Sequence, residues 1–191
     1  MSAPLTAGFA EPVGDAQRCF RAVLDAMSRP GRVHDVDLLL PPSPLCAAAA
    51  AVLLTLADQE TPLWLDPGAA SARDWIAFHC GAPAEGDPAR AAFAFSIGLP
   101  DLTRFSPGTH EAPETSATVI VQLSALSGGR RYRLSGPGLR GYAEMAPVGL
   151  PASFAADWRR NRALFPGGID LILCAGGAMT ALPRTVLIEE V

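Results

Sequence analysis

Apolar residues at Ala16, Cys19, Phe20, Val23, Leu24 and Met27 repeat with the spacing of one helical face, which predicts a helix over 15–28. Asp15 is placed to cap it, and Pro30-Gly31 to end it. "RVHDVDLLL" then alternates Val36, Leu38 and Leu40 against Asp35 and Asp37, the pattern of a half-buried strand. Ser43-Pro44 reads as the start of a second helix, whose alanine-rich body is apolar nearly all round and so belongs in the centre of the molecule. A short strand at 62–65, a helix at 72–80 stopped by Gly81, and a strand in "AAFAFSI" follow.

Residues 99–115 carry no period, apart from a possible helical turn in "PDLTRF". "SATVIVQL", "RRYRLSG" and "GYAEMAP" suggest three strands in a meander. "PASFAADWRRNRALF" is a helix with Phe154 and Trp158 on its inner face, to which Leu164 and Phe165 can be added. "IDLILCA" is a fully buried strand and "RTVLIEE" the last one. Helices and strands alternate early and strands gather late. The expectation is therefore an α/β fold with a mixed sheet flanked by helices, in a single domain over 1–191.

Composition narrows the chemistry. With 49% apolar and 18% charged residues the chain can bury a core, and a net charge of −4 offers no footprint for nucleic acid. The N-terminus lacks a basic start and an apolar h-region, and the run from Leu45 to Ala57 is too short to span a bilayer, so no membrane partner is expected. Cys19, Cys46, Cys80 and Cys174 are scattered through apolar patterns, as free thiols of a reducing cytoplasm would be. All 15 basic residues are arginine. Without lysine there is no Walker A site and no pyridoxal phosphate Schiff base.

Candidate sites each have a bland counterpart. His79-Cys80 lacks a companion pair at metal-ligand spacing, so no metal is expected. Ala94-Phe95-Ser96-Ile97-Gly98 is one residue from a nucleophile elbow, with Asp101 and His110 downstream, but Leu99-Pro100 stands where the helix should begin. Glu111 and Glu114 beside His110 are either acid/base groups or a solvated loop. "RRYRLSGPGLRG" raises a phosphate cradle at Ser135, Gly136 and Gly138, with Arg131 and Arg133 on one strand face. Pro137 removes one N–H from such a cradle, and a sharp turn explains the same letters. Arg29-Pro30-Gly31-Arg32 is ambiguous in the same way: an anion clamp, or two arginines facing water.

Several stretches, in this order, carry a resemblance: "FRAVLDAMSRPGRV", "LLTLADQETPLWL", "PETSATVIVQL", "LSGPGL", "NRALFPGGIDLIL" and "LPRTV". Together they resemble PhnH, the H-subunit family of the bacterial carbon–phosphorus lyase system. The resemblance implies a cytoplasmic core complex acting on alkylphosphonates, in which a phosphonate displaces adenine from ATP to form a ribose 1-phosphonate 5-triphosphate. It implies that a separate iron–sulfur radical enzyme later breaks the C–P bond. It also implies a fold similar to the large domain of pyridoxal-phosphate-dependent transferases, without the cofactor. The implied partners are a second copy and the G, I and J subunits, with any phosphonate or ATP contact made only within the complex. No catalytic set is attached to this subunit by the resemblance. The candidate anion contacts are Arg29, Gly31, Arg32, Arg133, Ser135, Gly136, Gly138 and, from the last matching stretch, Arg184. The alternatives are an anion- or nucleotide-binding regulatory module and a small hydrolase using Ser96 and His110.

Overall fold

The structure is a computed structural model and describes residues 6–191. Its centre is a six-stranded mixed sheet in the order β1-β8-β7-β4-β3-β2. β2 (Leu63–Leu65), β3 (Phe93–Ile97), β4 (Thr118–Gln122) and β7 (Asp170–Ala175) run parallel. β8 (Ala178–Leu182) and β1 (His34–Asp35) complete one edge with antiparallel pairings. A second sheet of three antiparallel strands has β5 (Tyr132–Ser135) between β6 (Tyr142–Met145) and β9 (Leu187–Glu190).

Strand alternation divides the core in two. Ile120, Ile172 and Cys174 turn to one side of the large sheet, where they meet α1 (Pro12–Ser28), α2 (Ala47–Leu56) and α3 (Arg73–Cys80). Val119, Val121, Leu171 and Leu173 turn to the other, against Tyr132, Leu134 and Ile188 of the small sheet and Phe154 and Trp158 of α4 (Phe154–Arg162). Both faces of β4 and β7 are covered, which is why these strands read as unbroken apolar runs. Each fully buried branched side chain here is worth roughly 1.5–3 kcal/mol. α2, apolar all round, is buried from Ala48 to Leu53 as its composition demands.

Several boundaries differ from the pattern-based reading. α1 begins at Pro12, and Asp15 lies inside it, accepting the Glu11 N–H at 2.9 Å rather than standing outside as its cap. Phe20 and Leu24 point outward from that helix; Cys19, Val23 and Ala26 make its buried stripe. The strand expected in 32–40 is only two residues long, and Leu40 is exposed. α2 starts at Ala47, not at Ser43-Pro44, because Gln122 holds the approach: its Oε1 accepts from Cys46 N at 2.7 Å and its Nε2 donates to Pro44 O at 2.8 Å. The expected meander is divided, with β4 inside the large sheet and β5 and β6 in the small one. β8 was absent from the sequence reading, and Leu164 and Phe165 lie on the surface.

Candidate functional site

The two arginine- and glycine-bearing turns singled out in the sequence touch each other. A Cβ at Gly31, whose φ is +85°, would stand 2.7 Å from Leu134 Cδ1. One at Gly138, φ +83°, would stand 2.1 Å from the Ser28 carbonyl oxygen. The Ser135–Gly138 turn is thus pressed onto the C-terminal end of α1. On its other side Gly136, φ +120°, lies against Thr185, where a Cβ would be 3.4 Å from the carbonyl oxygen. All three glycines have positive φ, and at Gly138 neighbouring backbone also excludes a side chain. They face protein rather than an open cradle.

Beside this contact, Asp25 on the last turns of α1 gathers three basic groups. Its Oδ1 is 3.1 Å from Arg29, and its Oδ2 is 3.3 Å from Arg32 and 3.0 Å from His34 Nε2. The His34 approach is close but not aligned for a hydrogen bond, and both atoms are buried. Arg29 and Arg32 keep 56% and 54% of their side chains exposed, so one carboxylate leaves them with donors to spare. Arg133 is not part of this group. Its neighbour Leu134 faces Gly31, while Arg133 points from the opposite face of β5 and stacks on Tyr142 at 4.8 Å.

Arg184 forms a separate node, with only 15% of its side chain exposed. It pairs with Asp170, donates to Pro113 O at 2.9 Å and bonds Ser116 Oγ. Its backbone N–H donates to Asp170 Oδ1 at 2.7 Å. Residues 113–116, 170 and 184 come from three of the stretches that carry the resemblance, and this guanidinium ties them together. Next to it Asn161 holds the start of β7 in peptide fashion, accepting from Ile169 N at 2.7 Å and donating to Ile169 O at 2.8 Å.

The other candidates stay apart. Ser96 is buried and donates to Asp66 Oδ2 at 2.9 Å, while His110 is exposed in a loop and makes no hydrogen bond to it. The same Asp66 caps the following 3-10 turn through Gly68 N at 2.7 Å, so the pair finishes a strand rather than activating a nucleophile. Both His79 and Cys80 are half-buried, His79 Nε2 lying 3.0 Å from Thr6 O. Among the described residues no group of three or more metal-ligating side chains converges. No helix among them is long and apolar enough to cross a membrane. The four thiols are free, and burial pushes the Cys19, Cys46, Cys80 and Cys174 thiols up, Cys174 furthest.

One cleft was not anticipated from the sequence. It lies between the 99–107 segment and α4, with a volume of about 600 Å³, and Leu102, Phe105 and Ile169 form its floor. The loop carries no periodic signal, and the cleft exists only because that loop and α4 are brought side by side, the Gly168 N–H donating to Pro107 O at 2.7 Å.

Comparison with known proteins places this arrangement. A sequence model described as "Bacterial phosphonate metabolism protein (PhnH)" matches residues 7–189. The chain belongs to this family. A relative in Rhizobium meliloti (strain 1021), the alpha-D-ribose 1-methylphosphonate 5-triphosphate synthase subunit PhnH, is 43% identical over 188 residues, covering 95% of this chain and 94% of that one. A candidate C-P lyase subunit protein, HtxG of Stutzerimonas stutzeri, is 32% identical over 177 residues, covering 91% and 85%. In this chain five of the six stretches that carry the resemblance meet at two places in space, the contact of the 29–32 and 135–138 turns and the Arg184 node.

Proposed function

We propose that this chain is a subunit of a carbon–phosphorus lyase core complex, supporting formation of alpha-D-ribose 1-methylphosphonate 5-triphosphate from ATP and methylphosphonate in phosphonate catabolism. The observation that carries the reading is the 43% identity, over nearly the full length of both chains, to a synthase subunit of that name. The burial of Ser96 and its hydrogen bond to Asp66 rather than to His110 speak against the hydrolase alternative.

The finer parts of the reading rest on the family resemblance. They are a cytoplasmic setting, a homodimer that docks with the G, I and J subunits, and a fold like the large domain of pyridoxal-phosphate-dependent transferases without the cofactor. The mixed sheet with covered faces is compatible with that fold, and the absence of lysine is compatible with the missing cofactor. Arg29 and Arg32 are the groups best placed to meet an anion, since both are more than half exposed around one shared carboxylate. A phosphonate or phosphate would compete there with Asp25 for forked guanidinium donors. Gly31, Ser135, Gly136 and Gly138 would act by shaping the backbone behind them. Arg133 would contribute from a different face, and Arg184 by holding the neighbouring loops.

The test is reconstitution. The purified chain is combined with the other core subunits and assayed for adenine release from ATP plus methylphosphonate, with and without Arg29→Gln/Arg32→Gln. Activity that requires the chain supports the subunit role, and a several-fold loss in the double variant with assembly intact supports the anion contact. Full activity of a complex lacking the chain defeats the reading.

A further inference from the structure

We infer that His34 regulates the anion affinity of the Arg29/Arg32 pair: once protonated, its imidazole takes over the Asp25 carboxylate and releases both guanidiniums to a tetrahedral oxyanion of the phosphate or phosphonate class. This rests on the anion contact proposed above and names the group that controls it.

One carboxylate serves three basic side chains here. Arg29 reaches Asp25 Oδ1 at 3.1 Å, while Arg32 and His34 converge on Oδ2 at 3.3 and 3.0 Å. Neither arginine side chain has a hydrogen bond or ion pair to any other described residue, so Asp25 alone restrains them. The groups are also layered. The guanidiniums are more than half exposed, whereas the side chains of Asp25 and His34 keep only 24% and 17% of their surface. Asp25 Oδ2 and His34 Nε2 are themselves fully buried. An anion arriving from solvent meets the arginines and not the nitrogen that faces Asp25.

The His34–Asp25 contact is unfinished. The two atoms are in range, yet neither makes a hydrogen bond, a costly state for buried polar groups. An imidazolium carries a hydrogen on both ring nitrogens, so Nε2 then donates towards Oδ2 with a full positive charge behind it. That charge offsets the carboxylate, weakens its pull on Arg29 and Arg32, and raises the potential that an anion meets at the surface. Anion affinity therefore rises as pH falls through the titration of His34.

The surrounding charges do not take this role. Arg21, one turn before Asp25 on α1, is exposed. Asp35, next to His34, accepts from Asp37 N at 3.0 Å, and Asp37 lies against Gly177. On the small-sheet side Ala143 lies against Gly31, its neighbour Glu144 pairs with Arg131, and Arg140 is exposed after Gly138. β8 and α2, which pack on β1 and α1, carry no charged side chain. Carboxylates and guanidiniums ordinarily keep their charge between about pH 6 and 8, and histidine does not. The other two histidines stand elsewhere, His79 on α3 beside Thr6 and His110 in an exposed loop.

The experiment titrates the isotopically labelled full chain with sulfate between about pH 6 and 8, with chloride holding the ionic strength constant. Sulfate is tetrahedral and keeps its charge over that range. NMR signals of the Arg29, Gly31 and Arg32 amides report binding, and imidazole signals report protonation. Sulfate is expected to bind at least about fivefold more tightly at the low end of the range. By reciprocity the His34 midpoint should move up when sulfate is bound, while those of His79 and His110 stay. His34→Gln should bind with one affinity throughout, and Asp25→Asn should bind at pH 8 as tightly as the wild type at pH 6; the amide spectra of both variants check the fold. Wild-type binding that ignores pH, a His34 midpoint that sulfate leaves unmoved, or an Asp25→Asn chain no tighter than the wild type at pH 8 overturns the inference while the anion contact stands. No sulfate binding at any pH defeats the anion contact and this inference with it, and leaves the subunit reading to its own reconstitution test.

Discussion

At the scale of single residues, the groups with the clearest consequences hold backbone segments together. Arg184 is one: half-buried, paired with Asp170 and bonded to the 113–116 loop, it joins three parts of the chain far apart in sequence. Arg184→Ala would leave the Asp170 carboxylate without its cation and the Pro113 carbonyl without its donor. A loss of about 2–4 kcal/mol is expected, which for a domain of this size lowers the melting temperature by roughly 5–12 °C. Gly138 is another. Any side chain there meets the Ser28 carbonyl oxygen at 2.1 Å in a left-handed conformation, and neither backbone can retreat cheaply. Gly138→Ala should therefore cost about 3 kcal/mol or more, visible as a lower denaturation midpoint in urea. Gly141, with open space around its Cβ position, supplies the control: Gly141→Ala bears only the strain of its positive φ.

At the scale of elements, α1 shows how a residue can be recognised as important for the wrong reason. Asp15 is a helix-start residue type, but it acts from within the first turns, reaching back to the Glu11 N–H and sideways to Arg18. The backbone hydrogen bond, then Arg18, hold its carboxyl below the ordinary aspartate value. A carboxyl lowered on folding stabilises the folded state above its unfolded pKa of about 4, and that contribution is lost as pH falls through the lower folded value. Asp15→Asn should thus be less stable than the wild type at pH 7, with the gap closing below about pH 4; chemical denaturation across that range measures it. A gap independent of pH would mean that the carboxylate charge plays no part. β8 makes the complementary point. Gly176-Gly177 between two apolar runs is a hairpin signal that the pattern-based reading passed over. The alanine-rich strand after it has little β propensity, and pairing with β7 decides its conformation.

At the scale of the whole molecule, the parallel core and its two covers separate the arginine turns from the cleft. The arginine turns lie where the small sheet meets α1, while the 600 Å³ cleft opens beside α4, with Asn161 in its wall and the Arg184 node behind. The layered packing also orders the thiols. Cys174 is wholly enclosed in β7 and Cys19 in α1, whereas Cys46 and Cys80 are partly accessible. Alkylation of the native protein at pH 8 should label Cys46 and Cys80 first and leave Cys174 unmodified until unfolding, as read by peptide mass spectrometry. Early labelling of Cys174 would contradict the enclosed core.

The sequence by itself determined the buried centre of this protein. Continuous apolar runs in "TVIVQ" and "DLILCA", and an alanine helix with no polar side, can be satisfied only by burial on every face. It also marked the turns, because glycine at a left-handed position is a local requirement. Which turn meets which was not local. The contact of Gly31 with Leu134 and of Gly138 with Ser28 joins residues about a hundred positions apart. Arg184 stood out only through the resemblance, as a candidate anion contact, and its role as a tie between segments needed the folded chain. The division of the late strands between two sheets, and the outward turn of Leu164 and Phe165, depended on tertiary packing in the same way. A period of two or of 3.6 says that one side is apolar, and only the assembled layers decide what covers it.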